Sequence, residues 1–126
     1  MAYESWNKLK KNIRRELPHI NEEDAGELAR VLQRLVAAPE PERIHIFGSQ
    51  ARGDATPESD VDLLVVVPSS DQPPYRRAQA AYHAMGRRNL SIDVLVMTRD
   101  EFDQRAPAVA SLPATVLREG KMLYAA

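Results

Sequence analysis

The chain has 126 residues, within the usual size of one domain and long enough to bury a core without disulfides or a structural metal. It has no cysteine, which excludes disulfide staples, cysteine-based zinc sites and thiol nucleophiles, and fits a cytoplasmic setting. A net charge of -1 gives no global basic field, so no direct nucleic-acid binding is expected.

From Ser5 to about Glu16, Trp6, Leu9, Ile13 and Leu17 recur at helical spacing and predict an amphipathic helix that Pro18 ends. The basic residues Lys8, Lys10, Lys11, Arg14 and Arg15 fall opposite that stripe and read as a solvated face. Asn21, followed by Glu22, Glu23 and Asp24, is a helix N-cap with an acidic first turn. Leu28, Val31, Leu32, Leu35 and Val36 then carry a second helix to the stop at Pro39 and Pro41. The opening stretch has no apolar core of signal-peptide length, and the longest apolar run, Leu63 to Val67, is far too short to span a bilayer. A soluble protein without membrane attachment is the expectation.

Arg43 to Phe47, rich in isoleucine, predicts a strand that runs into a Gly48-Ser49 turn. Val61 to Val67 is apolar apart from Asp62, which predicts a central strand covered on both faces. Tyr75 to about Asn89 returns to helical spacing through Tyr75, Ala78, Tyr82 and Met85. Ser91 to Met97 is a third strand whose one charge is Asp93. Thr98 and Glu101 form a capping box for a helix near Arg99 to Gln104, and Pro107 opens a further segment towards Glu119. Gly120 reads as a helix C-cap, and Lys121 to Tyr124 as a short edge strand. His19, His45 and His83 are scattered and read as structural or surface residues.

The chemistry concentrates between Phe47 and Val67. Side chains alternate along a strand, so Asp60 and Asp62 point the same way, roughly 6 to 7 Å apart. Two carboxylates at the end of an apolar strand repel one another unless a cation neutralises them, and an oxygen-only donor set favours a hard ion such as Mg²⁺. Glycine in the Gly48-Ser49 turn lets the backbone approach a ligand, and the amides and hydroxyl beyond it offer donors to a phosphate. If Asp93 shares the face of Asp62, it supplies a third carboxylate for a second ion and a base for an incoming hydroxyl.

Gly48-Ser49, ten intervening residues and then Asp60-Val61-Asp62 match the GS-x10-DxD signature. On this motif and the apolar strands around it, the stretch from about Arg43 to Tyr124 resembles the DNA polymerase beta-like nucleotidyltransferase superfamily, in particular its minimal nucleotidyltransferase (MNT) branch. The resemblance implies an α/β fold, a small mixed sheet with helices packed on it. The chain then divides into a helical N-terminal extension, 1–42, and a catalytic core, 43–126, of a single nucleotidyltransferase domain. It implies that Asp60, Asp62 and Asp93 bind two Mg²⁺ ions, that Asp93 is also the base, and that Gly48 and Ser49 hold the phosphates of ATP. Arg52 is expected to add charge to that pocket or to serve as a surface residue. The nearest functional resemblance is to antitoxins of HEPN/MNT pairs, which transfer AMP from ATP to a tyrosine of a HEPN-type RNase toxin. The implied partner is such a toxin in a hetero-oligomer. Two alternatives are an antitoxin that neutralises the toxin by stoichiometric binding, and transfer to a small molecule.

Overall fold

The computed structural model describes residues 5–56 and 59–126; Pro57 and Glu58, inside the polar spacer, lie outside them. Helix α1 (Trp6–Glu16) starts where the Ser5 side chain accepts from the Lys8 amide, and it buries Leu9 and Ile13. Trp6, at the head of the same stripe, stays 37% exposed; its indole N–H donates to the Gly26 carbonyl at 2.9 Å and the Lys10 ammonium lies over its ring. The ring is therefore a rim contact between the first two helices, with its polar tip satisfied. Helix α2 (Glu22–Ala37) is capped by Asn21 and buries all five of its expected apolar residues. Lys10 and Arg14 of α1 both pair with Glu22, an acid at a helix N-terminus where the dipole favours it.

Strands β1 (Arg43–Phe47), β2 (Val61–Val67), β3 (Ile92–Thr98) and β4 (Lys121–Ala125) form one mixed sheet in the order β3-β2-β1-β4. β1 is antiparallel to both β2 and β4, whereas β2 and β3 run parallel, joined through helix α4 (Pro74–Met85). The expected α/β architecture with a small mixed sheet is the observed one. Alternation sorts the side chains of β2 onto two cores. Val61, Leu63, Val65 and Val67 pack with α1, α2 and α4, while Leu64 and Val66 pack beneath Phe102 of α5 (Arg99–Arg105) and Val116 of α6 (Leu112–Glu119). Each fully buried aliphatic side chain contributes about 1.5–3 kcal/mol. A one-residue slip of β2 would drive Asp62 into the larger core and lose several such contributions, so burial on both faces fixes where Asp62 points.

The smaller core covers only one end of its face. Leu95, beside Leu64 in the β2–β3 register, is 47% exposed, and the strand ends that carry Asp62 and Asp93 lie beyond the cover of α5 and α6.

Two helix boundaries differ clearly from the sequence expectation, and a third position, Gly120, holds for a different reason. α4 stops at Met85, short of Asn89: Gly86 leaves the helix at a positive φ of 67, and the loop beyond is tied down, with Arg34 donating to the Met85 carbonyl at 3.2 Å and the Asn89 and Leu90 amides donating to the Glu27 carboxylate at 2.9 and 2.7 Å. α6 begins at Leu112 with Ser111 as its cap, and Pro107 lies in the turn before it. Gly120 does cap α6, but in extended backbone; a Cβ there would meet the Val116 and Ile46 carbonyls closer than 3.0 Å, so the position needs glycine for space.

The outer edge of β3 is sealed by side chains from α4: the Val94 amide donates to the Tyr82 hydroxyl at 2.9 Å, and Arg77 donates to the Val96 carbonyl at 3.3 Å. Arg77 also forms a two-pronged pair with Glu101, at 2.7 and 3.0 Å, beside the Thr98–Glu101 capping box. Among the described residues no helix is long and apolar enough to cross a membrane.

Candidate active site

In the β2–β3 register Asp62 and Asp93 are direct neighbours, and in the β1–β2 register Phe47 lies opposite Asp62. Paired positions on adjacent strands share a face and stand about 4.8 Å apart. Asp93 therefore does share the face of Asp62, and the row continues across the sheet to Phe47 and the turn that follows it.

That turn is shaped around Asp62. Gly48 adopts φ 74 and ψ -157, a region open essentially to glycine alone. A Cβ on it would fall under 3.0 Å from Asp62 Oδ2, closer than real Cβ atoms come. The Gly48 backbone thus lies directly on the carboxylate. Ser49 opens α3 (Ser49–Arg52), a single turn whose last residue, Arg52, is half exposed between Asp54 at 3.4 Å and Glu119 at 3.7 Å. Within that turn the Ala51 and Arg52 amides both donate to the Gly48 carbonyl at 3.1 Å, so backbone donors to an oxygen ligand would come from the residues ahead of them, Ser49 and Gln50.

The electrostatics tie the predicted residues together. Burial raises the pKa of Asp62, the negative charges of Asp93 and then Asp60 raise it further, and the Arg52 guanidinium pulls it back. Asp60 and Asp93 are exposed and Asp62 is half-buried, so the group that feels the others most is the one wedged beneath Gly48. Among the described residues no three histidine or acidic side chains stand ready-formed around one point; the aspartates make a row more than a cage. Their donor chemistry nonetheless fits a hard divalent cation. All the donors are carboxylate oxygens, and a positive ion would relieve the repulsion that opposes ionisation of Asp62.

His19, His45 and His83 stand apart from this row. His19 approaches Gln50 at 3.3 Å, His83 is exposed, and His45 is buried in a stack with Phe102. The sequence reading passed over Arg87 and Arg88, which line a groove bordering Asp93. Two adjacent arginines after a helix are a signal in the sequence, but nothing there shows that the loop folds back to the aspartates.

This fold, with a glycine-backed carboxylate row at the open end of its sheet, places the chain in a known class: it belongs to the nucleotidyltransferase domain family, whose family model matches residues 26–121. A candidate protein adenylyltransferase of Methanocaldococcus jannaschii is 38% identical over 55 residues. That match covers 44% of this chain and 54% of the archaeal protein, so the chain spans about half of its length. The crystal structure of a candidate nucleotidyltransferase from Sulfolobus solfataricus shares the fold, with a TM-score of 0.50 and 24% identity over 82% of this chain and 84% of that one. A toxin-antitoxin complex crystallised with AMP-PNP aligns over 98% of this chain and 75% of that chain. Its TM-score of 0.46 at 19% identity is too loose to bear on what this chain does.

Proposed function

We propose that the chain is a Mg²⁺-dependent nucleotidyltransferase that moves AMP from ATP onto a tyrosine hydroxyl of a HEPN-type RNase toxin, and so acts as the antitoxin of a cytoplasmic pair. The observation that carries the reading is the row in which Gly48 backs Asp62 and Asp62 neighbours Asp93 on the same face. In this reading residues 43–126 are the catalytic core and 1–42 a helical N-terminal extension. Membership of the nucleotidyltransferase family supports the reaction type, and the likeness to a candidate protein adenylyltransferase supports a protein acceptor.

Gly48 and Ser49 hold the phosphate tail, with Arg52 adding positive charge. Asp60, Asp62 and Asp93 hold two Mg²⁺ ions, whose chemistry is to neutralise the charge that grows on the α-phosphate and on the departing pyrophosphate. Asp93, at the end of the row away from Gly48, accepts the proton of the acceptor hydroxyl. The hydroxyl oxygen then bonds to the α-phosphorus as the bond to pyrophosphate breaks. An AMP group on the tyrosine adds negative charge and bulk at an RNA-cleaving site, which opposes RNA binding there.

The test is to incubate the protein with α-labelled ATP, Mg²⁺ and the co-encoded partner, and to look for label on the partner. Absence of label, with nucleotide binding confirmed, would count decisively against transfer. The doubly substituted Asp60→Ala/Asp62→Ala protein separates enzymatic from stoichiometric neutralisation, because only a binding antitoxin would still protect cells at equal molar ratio.

A further inference from the structure

The loop between α4 and β3 borders the aspartate row on the side away from Gly48. It frames an open groove of about 620 Å³ with Asp93 on its rim, and the other charged residues lining it are Arg87 and Arg88. Arg87 is exposed and has no acidic partner among the described residues. Arg88 lies with its guanidinium 5.5 Å from the centre of the Tyr82 ring and donates from Nη1 to the Gly86 carbonyl at 3.0 Å, while its buried Nε has no partner.

Loop arginines are ordinarily solvated and mobile, but these two sit on a braced frame. Both oxygens of Glu27, a side chain only 12% exposed, accept the Asn89 and Leu90 amides, and Arg34 holds the carbonyl that ends α4. Glu27 is engaged from behind by those amides and by Arg30 at 3.3 Å, so it neutralises neither groove arginine. Two arginines are therefore carried on a braced backbone beside three negative groups, and the Arg88 guanidinium is itself held on the Tyr82 ring. A braced backbone lowers the ordering cost of binding, and planar guanidinium forks match carboxylates.

The position of the groove decides what it would meet. On the reading above, the nucleotide tail lies at the Gly48 end of the row, so the acceptor approaches Asp93 from the other end, across Arg87 and Arg88. We propose that this groove binds the acceptor, and that the acceptor is an acidic protein segment: a hydroxyl side chain is presented to Asp93 while a neighbouring carboxylate of the same segment pairs with Arg87 and Arg88. Arg87 and Arg88 offset the repulsion that the aspartates exert on an acidic segment while no metal is bound. With them, the groove selects the segment that carries its own negative charge. The proposal rests on the aspartate row being the transfer site.

The test uses the whole chain, at low ionic strength, with three probes: MgATP, acetyl-Glu-Tyr-Glu-amide and acetyl-Gln-Tyr-Gln-amide, each followed by amide chemical shifts in solution. The acidic peptide should bind at least fivefold tighter than the neutral one and shift the amides of residues 87–91. Arg87→Glu should remove that preference and leave MgATP affinity within twofold. Arg87→Gln, which adds no repulsion, should reduce the preference part-way. Equal affinity for the two peptides in the wild type would overturn the proposal, as would a tenfold loss of MgATP affinity in Arg87→Glu, since the groove would then serve nucleotide phosphates. Failure of the wild type to bind MgATP, with the peptide preference intact, would uphold the groove as an acidic-peptide site and overturn only the transfer reading.

Discussion

Replacing Gly48 by alanine should damage the protein in two separable ways. The backbone at φ 74 and ψ -157 is open essentially to glycine, and holding a side-chain-bearing residue there costs about 1–3 kcal/mol. The new methyl would also strike Asp62 Oδ2 and push that carboxylate off its rotamer, about 0.5–1.5 kcal/mol more. Together these give roughly 2–4 kcal/mol; for a chain of this size each kcal/mol lowers Tm by about 3–6 °C. Gly53→Ala is the matched control. Gly53 also has positive φ, at 84, but a Cβ there has nothing within 4 Å, so only a backbone cost of about 1–2 kcal/mol applies. Thermal unfolding followed by circular dichroism, with Mg²⁺-dependent ATP binding by calorimetry, reads both. Gly48→Ala should melt roughly 10 °C or more below wild type and lose nucleotide binding, whereas Gly53→Ala should melt about 5 °C lower and keep it. Equal Tm losses in the two variants, with nucleotide binding intact in both, would refute the claim that the turn is built on Asp62.

Asp62→Asn removes a carboxylate whose folded-state pKa is raised, so the wild type loses stability as pH rises through the ordinary value of 3.8 and the variant does not. The variant should therefore melt higher than wild type at pH 7 without divalent ions, match it in acid, show no Mg²⁺-induced rise in Tm and transfer no AMP. Glu101→Gln breaks the two-pronged pair that, with the Thr98 amide, holds the Glu101 carboxyl down to about 2. With Glu101 itself 40% exposed, solvent screening limits the cost to about 1–2 kcal/mol. That gap, measured by urea unfolding, should be full above pH 4.5 and vanish as pH falls through about 2. His45, driven down to about 4 by burial and then by Arg43, is neutral in the fold but protonates below 6.5 when unfolded. Its contribution, about 3 kcal/mol, is full above pH 6.5 and lost as pH falls to 4, so His45→Leu should flatten that part of the stability curve.

How far the sequence carried depended on whether the determining contacts were local. The alternation of β2 and its apolar flanks were enough to predict a central strand, and the spacing of Asp60 and Asp62 was enough to predict that the two charges act on one another, as the raised pKa of Asp62 reflects. Asp93 is placed by strand register, which a sequence does not print; it could be stated only as a condition. The contact between Gly48 and Asp62 joins positions 14 residues apart in the chain; the sequence marks the glycine as a place where the backbone can approach a ligand, but prints nothing of the carboxylate packed against it. The end of α4 at Met85 was legible in part: Gly86, which takes a positive φ of 67, is a local stop signal, but Glu27 and Arg34, which tie down the loop after it, belong to a helix some 50 to 60 residues earlier. Trp6 shows the opposite limit: its place on an apolar stripe was legible, but the Gly26 carbonyl that draws its indole to the rim was not.

Tyr82 has two jobs. Its hydroxyl closes the outer strand against addition of a foreign one, and its ring is the platform under Arg88. Protection from aggregation, shared with Arg77, and recognition of charge thus meet on one side chain. Selection for solubility at this position is felt in partner choice, and a drift in partner choice that replaced the phenol would remove one of the two side chains that close this edge.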